Sequence, residues 1–202
     1  MGSEMCIRDR FYGDAAVINY EKLYGQRYFE DYGLSEQSAA FDKRQKMYLL
    51  EQERIEQFCD GGIILDIGCG TVEFLSSFND KKWKKFGFEP VDAARSYAED
   101  NHNINFNLED LEEVSVDIVI FRGVFQHMDE PLRDIKRATR LLKPGGHMVF
   151  LATPNTGSLC YRLFQDLPAL DPPRNFCLAS DKILANIPVS YTHLTLPTIY
   201  SV

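Results

Sequence analysis

The stretch Leu65-Asp66-Ile67-Gly68-Cys69-Gly70-Thr71 constrains this chain more than any other. The apolar run Ile63-Ile64-Leu65 leads into it, and an acid followed by Gly-x-Gly leads out. Short continuous apolar runs belong to strands buried on both faces of a parallel sheet. Gly68 and Gly70 lack side chains, so they can form a tight turn that brings bare backbone up to a ligand. The stretch therefore predicts a strand, a turn at the carboxyl edge of a sheet, and a helix.

The flanking sequence extends that unit in both directions. Phe41, Tyr48 and Ile55 recur every seven residues, with Met47 and Leu50 beside them, so residues 37–58 read as an amphipathic helix stopped by Gly61-Gly62. Residues 71–78 and 91–100 read as helices and 86–88 as a second strand. Residues 104–106 give a third strand, and 116–121 a fourth in which only Asp117 is polar. Pro131 suits the first turn of a helix carrying Leu132, Ile135, Thr139 and Leu142. Gly145-Gly146 is expected to end that helix, and 147–152 to supply a fifth strand. Strands alternating with helices predict an α/β fold, a Rossmann-like, doubly wound and mostly parallel sheet in the order 3-2-1-4-5. From Asp181 an apolar helical pattern (Ile183, Leu184, Ile187) begins and is cut by Pro188.

Composition narrows the class. The chain has 202 residues, 45% hydrophobic and 26% charged, which suits one globular domain. A net charge of −8 argues against a broad nucleic-acid footprint. No apolar run approaches the ~20 residues of a membrane helix, and no apolar segment near the start suits secretion, so a cytoplasmic location is expected. The five cysteines show neither metal-ligand nor redox spacing; free thiols and no metal site are expected.

A strand-turn-helix with Gly-x-Gly also serves dinucleotides. In that fingerprint the third glycine would fall at position 73, which is Glu73. A carboxylate at a helix N-terminus repels the pyrophosphate that wants the same place, whereas a ligand without phosphate tolerates it. Glu89 ends the second strand 23 residues after Asp66, near the ~20-residue offset of an acid that accepts hydrogen bonds from ribose hydroxyls. Pro90 offers an apolar face to a base. Asn107, Leu108 and Glu109 form a polar turn after the third strand, where an adenine amino group could be met. Arg122 and the segment to His127 leave the fourth strand at the same edge.

Residues 41–180 resemble the class I methyltransferases, in particular the bacterial enzymes of small-molecule and glycan pathways. Leu65 to Thr71 is similar to the family's first motif, 86–90 to its second, and Val116-Asp117-Ile118-Val119 through His127 to its fourth-strand motif. Leu141 to Gly146 is similar to the turn before strand five, followed by Thr153-Pro154-Asn155. The resemblance implies S-adenosylmethionine as cofactor, held by Asp66, Gly68 and Gly70 with Glu89 on the ribose. It also implies transfer of a methyl group to a small-molecule or glycan-linked acceptor. Two positions depart from the family pattern: Val72 stands where glycine is usual, and Pro172-Pro173-Arg174-Asn175 replaces Pro-Pro-Arg-His. The alternatives are a cofactor-binding protein without catalysis and, disfavoured by Glu73, a nicotinamide-dependent oxidoreductase.

The remaining candidates each have two readings. His127 is a general base for a hydroxyl or amine acceptor, or a residue closing the loop after the fourth strand. Cys69 lies within the cofactor turn and reads as a small buried filler rather than a nucleophile. Arg44 reaches the cofactor's carboxylate or decorates a solvated face. Arg122 and Arg174 read an acidic group or lie on the surface. Tyr28, Phe29 and Tyr32 cover the site or pack between helices.

The expected organisation is a helical cap over 11–60, a cofactor-binding core over 61–155 and a substrate-side segment over 156–187. Residues 1–10 and 188–202 resemble translated linker sequence. The resemblance implies two further strands flanking strand five; the sequence stops before either, so 148–151 is expected at a sheet edge.

Overall fold

The computed structural model describes residues 39–101, 104–164, 175 and 177–184. Helix α1 (Ala39–Glu56) is followed by strand β1 (Gly62–Ile67), helix α2 (Glu73–Ser76), strand β2 (Trp83–Phe88) and helix α3 (Asp92–Asn101). Strand β3 (Val116–Arg122), helix α4 (Pro131–Leu141), strand β4 (Leu142–Leu151) and helix α5 (Leu159–Phe164) complete the order. The four strands are parallel, in the order β2-β1-β3-β4.

Outside β2, Asn105 makes an isolated parallel bridge to Phe86. Its N–H donates to the Lys85 carbonyl at 3.0 Å and its carbonyl accepts from Gly87 N–H at 3.0 Å. The strand expected over 104–106 is thus one bridge, and it stands where the order 3-2-1-4-5 requires. At the other side, no strand among the described residues pairs with the outer edge of β4.

Successive side chains of a strand point to opposite faces. Ile64, Ile118 and Ile120 therefore pack with Ile55 of α1 and with Phe74 and Leu75 of α2. Leu65, Val119 and Phe121 pack on the other side with Ile135 and Ala138 of α4. All six of these strand residues are fully buried, which is why Ile63 to Leu65 of β1 and Ile118 to Phe121 of β3 read as apolar runs. Asp117, the polar exception, is an anchor: its Oδ2 accepts from Ile63 N–H at 2.8 Å and from Lys143 Nζ at 2.7 Å.

Several elements differ from their sequence expectation. On α1, Tyr48 and Ile55 are buried, but Met47 and Leu50 are 39% and 63% exposed, so the buried stripe is narrower than the spacing implied. The helix expected over 71–78 shortens to Glu73–Ser76. Val72, at φ 61, stands outside the helix, and the N–H groups of Ser77 and Phe78 bond to carbonyls three residues back. Helix α4 stops at Leu141, before the glycine pair. Leu142 is already extended and pairs with Val116, and Gly145, at φ 82, bends an irregularity within β4.

Tyr28, Phe29, Tyr32, Arg174 and the segments 1–10 and 188–202 lie outside the described residues. No described helix is long and apolar enough to cross a membrane. Among the described residues no group of three or more His, Cys, Asp or Glu is placed to hold a metal ion.

Candidate functional site

The parallel strands bring the ends of β1, β2 and β3 to one edge of the sheet, and the sequence candidates gather there. The turn after β1 depends on two glycines, with Gly68 at φ 73 and Gly70 at φ 56. A Cβ on Gly68 would stand 2.4 Å from Val124 Cγ2, so conformation and space both demand glycine. Around the corresponding point at Gly70 no heavy atom outside residues 69–71 lies within 4 Å. The backbone there faces open space.

The end of β2 holds the turn in shape. Gly68 N–H and Cys69 N–H donate to the Phe88 carbonyl at 2.7 Å and 3.2 Å. Glu89, buried directly after β2, accepts from Gly70 N–H at 2.9 Å through Oε2 and from Val91 N–H at 2.9 Å through Oε1. A carboxylate oxygen carries two lone pairs and can accept from more than one donor. Pro90 is exposed beside it, and Phe88 is 44% exposed.

Asp66 is 2% exposed, and its Oδ1 has no hydrogen-bond partner. Burial pushes its carboxyl up to about 8; Arg122 opposes that, and Glu89 and Glu51 add to it. A buried carboxyl oxygen without a donor costs free energy that a ligand N–H could recover. Cys69 is also buried; burial, then the Asp66 and Glu89 charges, push its thiol well up. Its Sγ would lie 2.7 Å from a Cβ on Gly87, so it fills the space between turn and strand.

Arg122, at the end of β3, is held between α1 and α2. Its Nε donates to Glu51 Oε2 at 2.8 Å, and its guanidinium lies 4.6 Å from the Tyr48 ring centre and 5.2 Å from that of Phe74. Burial, opposed by Arg122, raises the Tyr48 hydroxyl to about 12. Glu73 is raised by burial and steadied by Arg44, the Tyr48 hydroxyl and Arg122. Arg44 Nε stands 3.9 Å from Glu73 Oε2. Sequence reasoning picked out Arg44 and Arg122 but missed Glu51 as the partner of Arg122. A pair 71 residues apart leaves no local spacing to read.

The other candidates are more self-contained. In the turn Leu108–Asp110, Asn107 Oδ1 accepts from Glu109 N–H at 3.2 Å and Asn107 Nδ2 donates to Asp110 at 3.1 Å. Leu108 is half-buried and Glu109 exposed. His127 ends a short turn, Phe125–His127, with its Nε2 3.1 Å from Gln126 Nε2. Because Gln126 Nε2 also donates to the Gly123 carbonyl at 3.0 Å, it acts as a donor, and His127 Nε2 is the acceptor. Asn175 is buried.

Val72 departs from glycine without reaching into the turn's open side. It keeps the left-handed backbone that glycine favours, and its side chain is fully buried in the core beneath.

The family described as methyltransferase domain matches residues 37–187. The ubiquinone biosynthesis O-methyltransferase of Acinetobacter baylyi is 31% identical over 113 residues, covering 50% of this chain and 47% of that protein. The malonyl-[acyl-carrier protein] O-methyltransferase of Halalkalibacterium halodurans is 26% identical over 117 residues, covering 50% and 43%. The chain thus spans about half the length of these curated relatives. Among solved structures, a SAM-dependent methyltransferase from Thermotoga maritima superposes with a TM-score of 0.59 at 22% identity, covering 85% of this chain and 77% of that one. With a match over three quarters of its length and the doubly wound sheet described above, the chain belongs to the class I S-adenosylmethionine-dependent methyltransferase family.

Proposed function

We propose that this chain carries the cofactor-binding half of an enzyme that transfers the methyl group of S-adenosylmethionine to an oxygen of a small-molecule or glycan-linked acceptor. The observation that carries the reading is the buried Asp66 Oδ1, unpartnered beside a glycine turn whose backbone faces open space. The residues present fit the cofactor. Asp66 would take its ammonium, Glu89 its ribose hydroxyls and the Gly68–Gly70 backbone its methionine arm, while Pro90 and Leu108 would flank its base. Glu73 at the start of α2 disfavours a pyrophosphate at the same edge.

The bound cofactor supplies an already activated sulfonium methyl, so the protein's work is to hold two reactants in line and exclude water. A hydroxyl acceptor must also lose its proton. His127 is the proposed base, and taking that proton at Nε2 would displace the hydrogen bond from Gln126. The oxygen acceptor is supported by the names of the two curated relatives. The test is a transfer assay that follows S-adenosylhomocysteine release over a panel of phenols, carboxylic acids, amines and sugars. Turnover confined to amines would remove oxygen as the accepting atom, and binding without turnover on any of them would favour a protein that holds the cofactor without catalysis.

A further inference from the structure

The Arg122 guanidinium lies at the junction of three elements around the glycine turn: β3, which carries it, α1 through Glu51 and Tyr48, and α2 through Phe74. The Arg122 and Glu51 side chains are only 15% and 12% exposed. Ion pairs this shielded from water are strongly felt when one partner is removed. Asp66 pairs in register with Ile120, so Arg122, two residues further along β3, lies on the same face of the sheet as Asp66. The charged groups that act on the Asp66 carboxyl are Arg122, Glu89 from the end of β2 and Glu51 from α1, and its charge in turn acts on the Cys69 thiol. Arg122 is the only cation in that set, and Glu51 both orients it and opposes its effect on Asp66.

We propose that Arg122 is a positioning residue of the cofactor subsite, holding α1 over the sheet edge through Glu51 and favouring an ionised Asp66 when a cationic ligand docks on Oδ1. The proposal rests on Asp66 being the contact for the cofactor's ammonium. Asp66 is largely protonated at neutral pH because burial raises it to about 8. Docking of an ammonium then releases a proton from the carboxyl to solvent, and affinity rises with pH until Asp66 is ionised beforehand. The two partners of the ion pair act on that dependence with opposite sign. Without Arg122 the carboxyl is harder to ionise; without the Glu51 charge it is easier.

The experiment is calorimetric titration of S-adenosylhomocysteine into the whole chain across neutral pH, for wild type, Arg122→Gln, Arg122→Lys and Glu51→Gln. Arg122→Gln is expected to bind about tenfold more weakly at neutral pH, with the midpoint of its pH dependence moved upward. Glu51→Gln is expected to move the midpoint downward, and Arg122→Lys, which keeps the charge but loses the planar fork, to leave it near wild type. Midpoints that stay put, or that move the same way in Arg122→Gln and Glu51→Gln, overturn the proposal, because a merely structural pair weakens binding without opposite shifts. Should Arg122→Gln fail to fold, Glu51→Gln decides alone: a downward midpoint supports the proposal, and an unmoved or upward one overturns it. A folded wild type that does not bind S-adenosylhomocysteine overturns the cofactor reading itself, a result distinct from binding with unmoved midpoints.

Discussion

The Glu89 carboxylate receives the backbone N–H of Gly70 at 2.9 Å, so the acid that closes the second strand also shapes the glycine turn that closes the first. A residue expected from its spacing to meet ribose hydroxyls is therefore also part of the turn's own framework. The second oxygen takes Val91 N–H at the entry to α3, which joins three segments through one side chain.

Glu89→Ala is accordingly expected to lower stability and ligand affinity together, each by about 1–3 kcal/mol, because charge-assisted bonds to buried backbone donors are lost. Glu89→Gln keeps one acceptor oxygen and should fall between. The checks are thermal unfolding and S-adenosylhomocysteine titration; a variant with unchanged affinity would remove Glu89 from the cofactor site.

Asp66 predicts a conflict between stability and binding. Its folded carboxyl is raised to about 8 from an ordinary value near 4, so the folded state holds the extra proton between those values. The stability this contributes is complete below about pH 4 and is lost as pH rises through about 8. Asp66→Asn, which never ionises, should therefore stabilise the ligand-free chain by on the order of 1–3 kcal/mol at the upper end of that window. The gain should shrink as the pH falls. The same substitution should abolish measurable cofactor binding. Melting curves across the window check the sign: an advantage for Asn that grows on acidification would contradict the burial argument.

These residues show how far the sequence could be read. β1 and β3 were legible because their centres are buried on both faces and so carry the apolar runs Ile63 to Leu65 and Ile118 to Phe121. The glycine turn was legible because positive φ and a close approach leave almost no other choice. The lengths of α2 and α4 were not, since helical spacing persists in Phe78 and Leu142 after the backbone has left the helix. The Glu51–Arg122 pair was invisible for another reason. Such a contact exists only once α1 is laid across the sheet.

Val72→Gly sets two effects against each other. Removing a β-branched side chain from the left-handed region relieves about 1–2 kcal/mol, while losing a fully buried valine side chain forfeits about 1.5–3 kcal/mol. A net loss on the order of 1 kcal/mol is expected. Because that side chain packs into the core, S-adenosylhomocysteine affinity should not change. A clear gain in affinity would mean that Val72 crowds the ligand after all.

His127→Ala separates a base from a loop residue. As a base, it should be needed for turnover of a hydroxyl acceptor, and its loss should cost about 100-fold or more in rate while cofactor affinity stays intact. Loss of both, together with a lower melting temperature, would assign His127 to closing the turn with Gln126.

Asp117→Ala is the control at the opposite edge of the sheet. It leaves Ile63 N–H and Lys143 without their shared acceptor, so stability should fall by about 1–3 kcal/mol. Affinity for S-adenosylhomocysteine at a temperature where the chain is folded should match wild type. A large affinity loss would show that the ligand site extends to that edge or that the sheet transmits the damage.

The central claim is that the edge formed by Asp66, the Gly68–Gly70 turn and Glu89 takes S-adenosylmethionine rather than a dinucleotide. Its most direct test is calorimetric titration of the folded chain with S-adenosylmethionine and, separately, with NAD. Saturable binding of S-adenosylmethionine at one site, lost in Asp66→Asn, with no heat from NAD, is the predicted result. Binding of NAD in its place, or S-adenosylmethionine binding that survives Asp66→Asn unchanged, would contradict it.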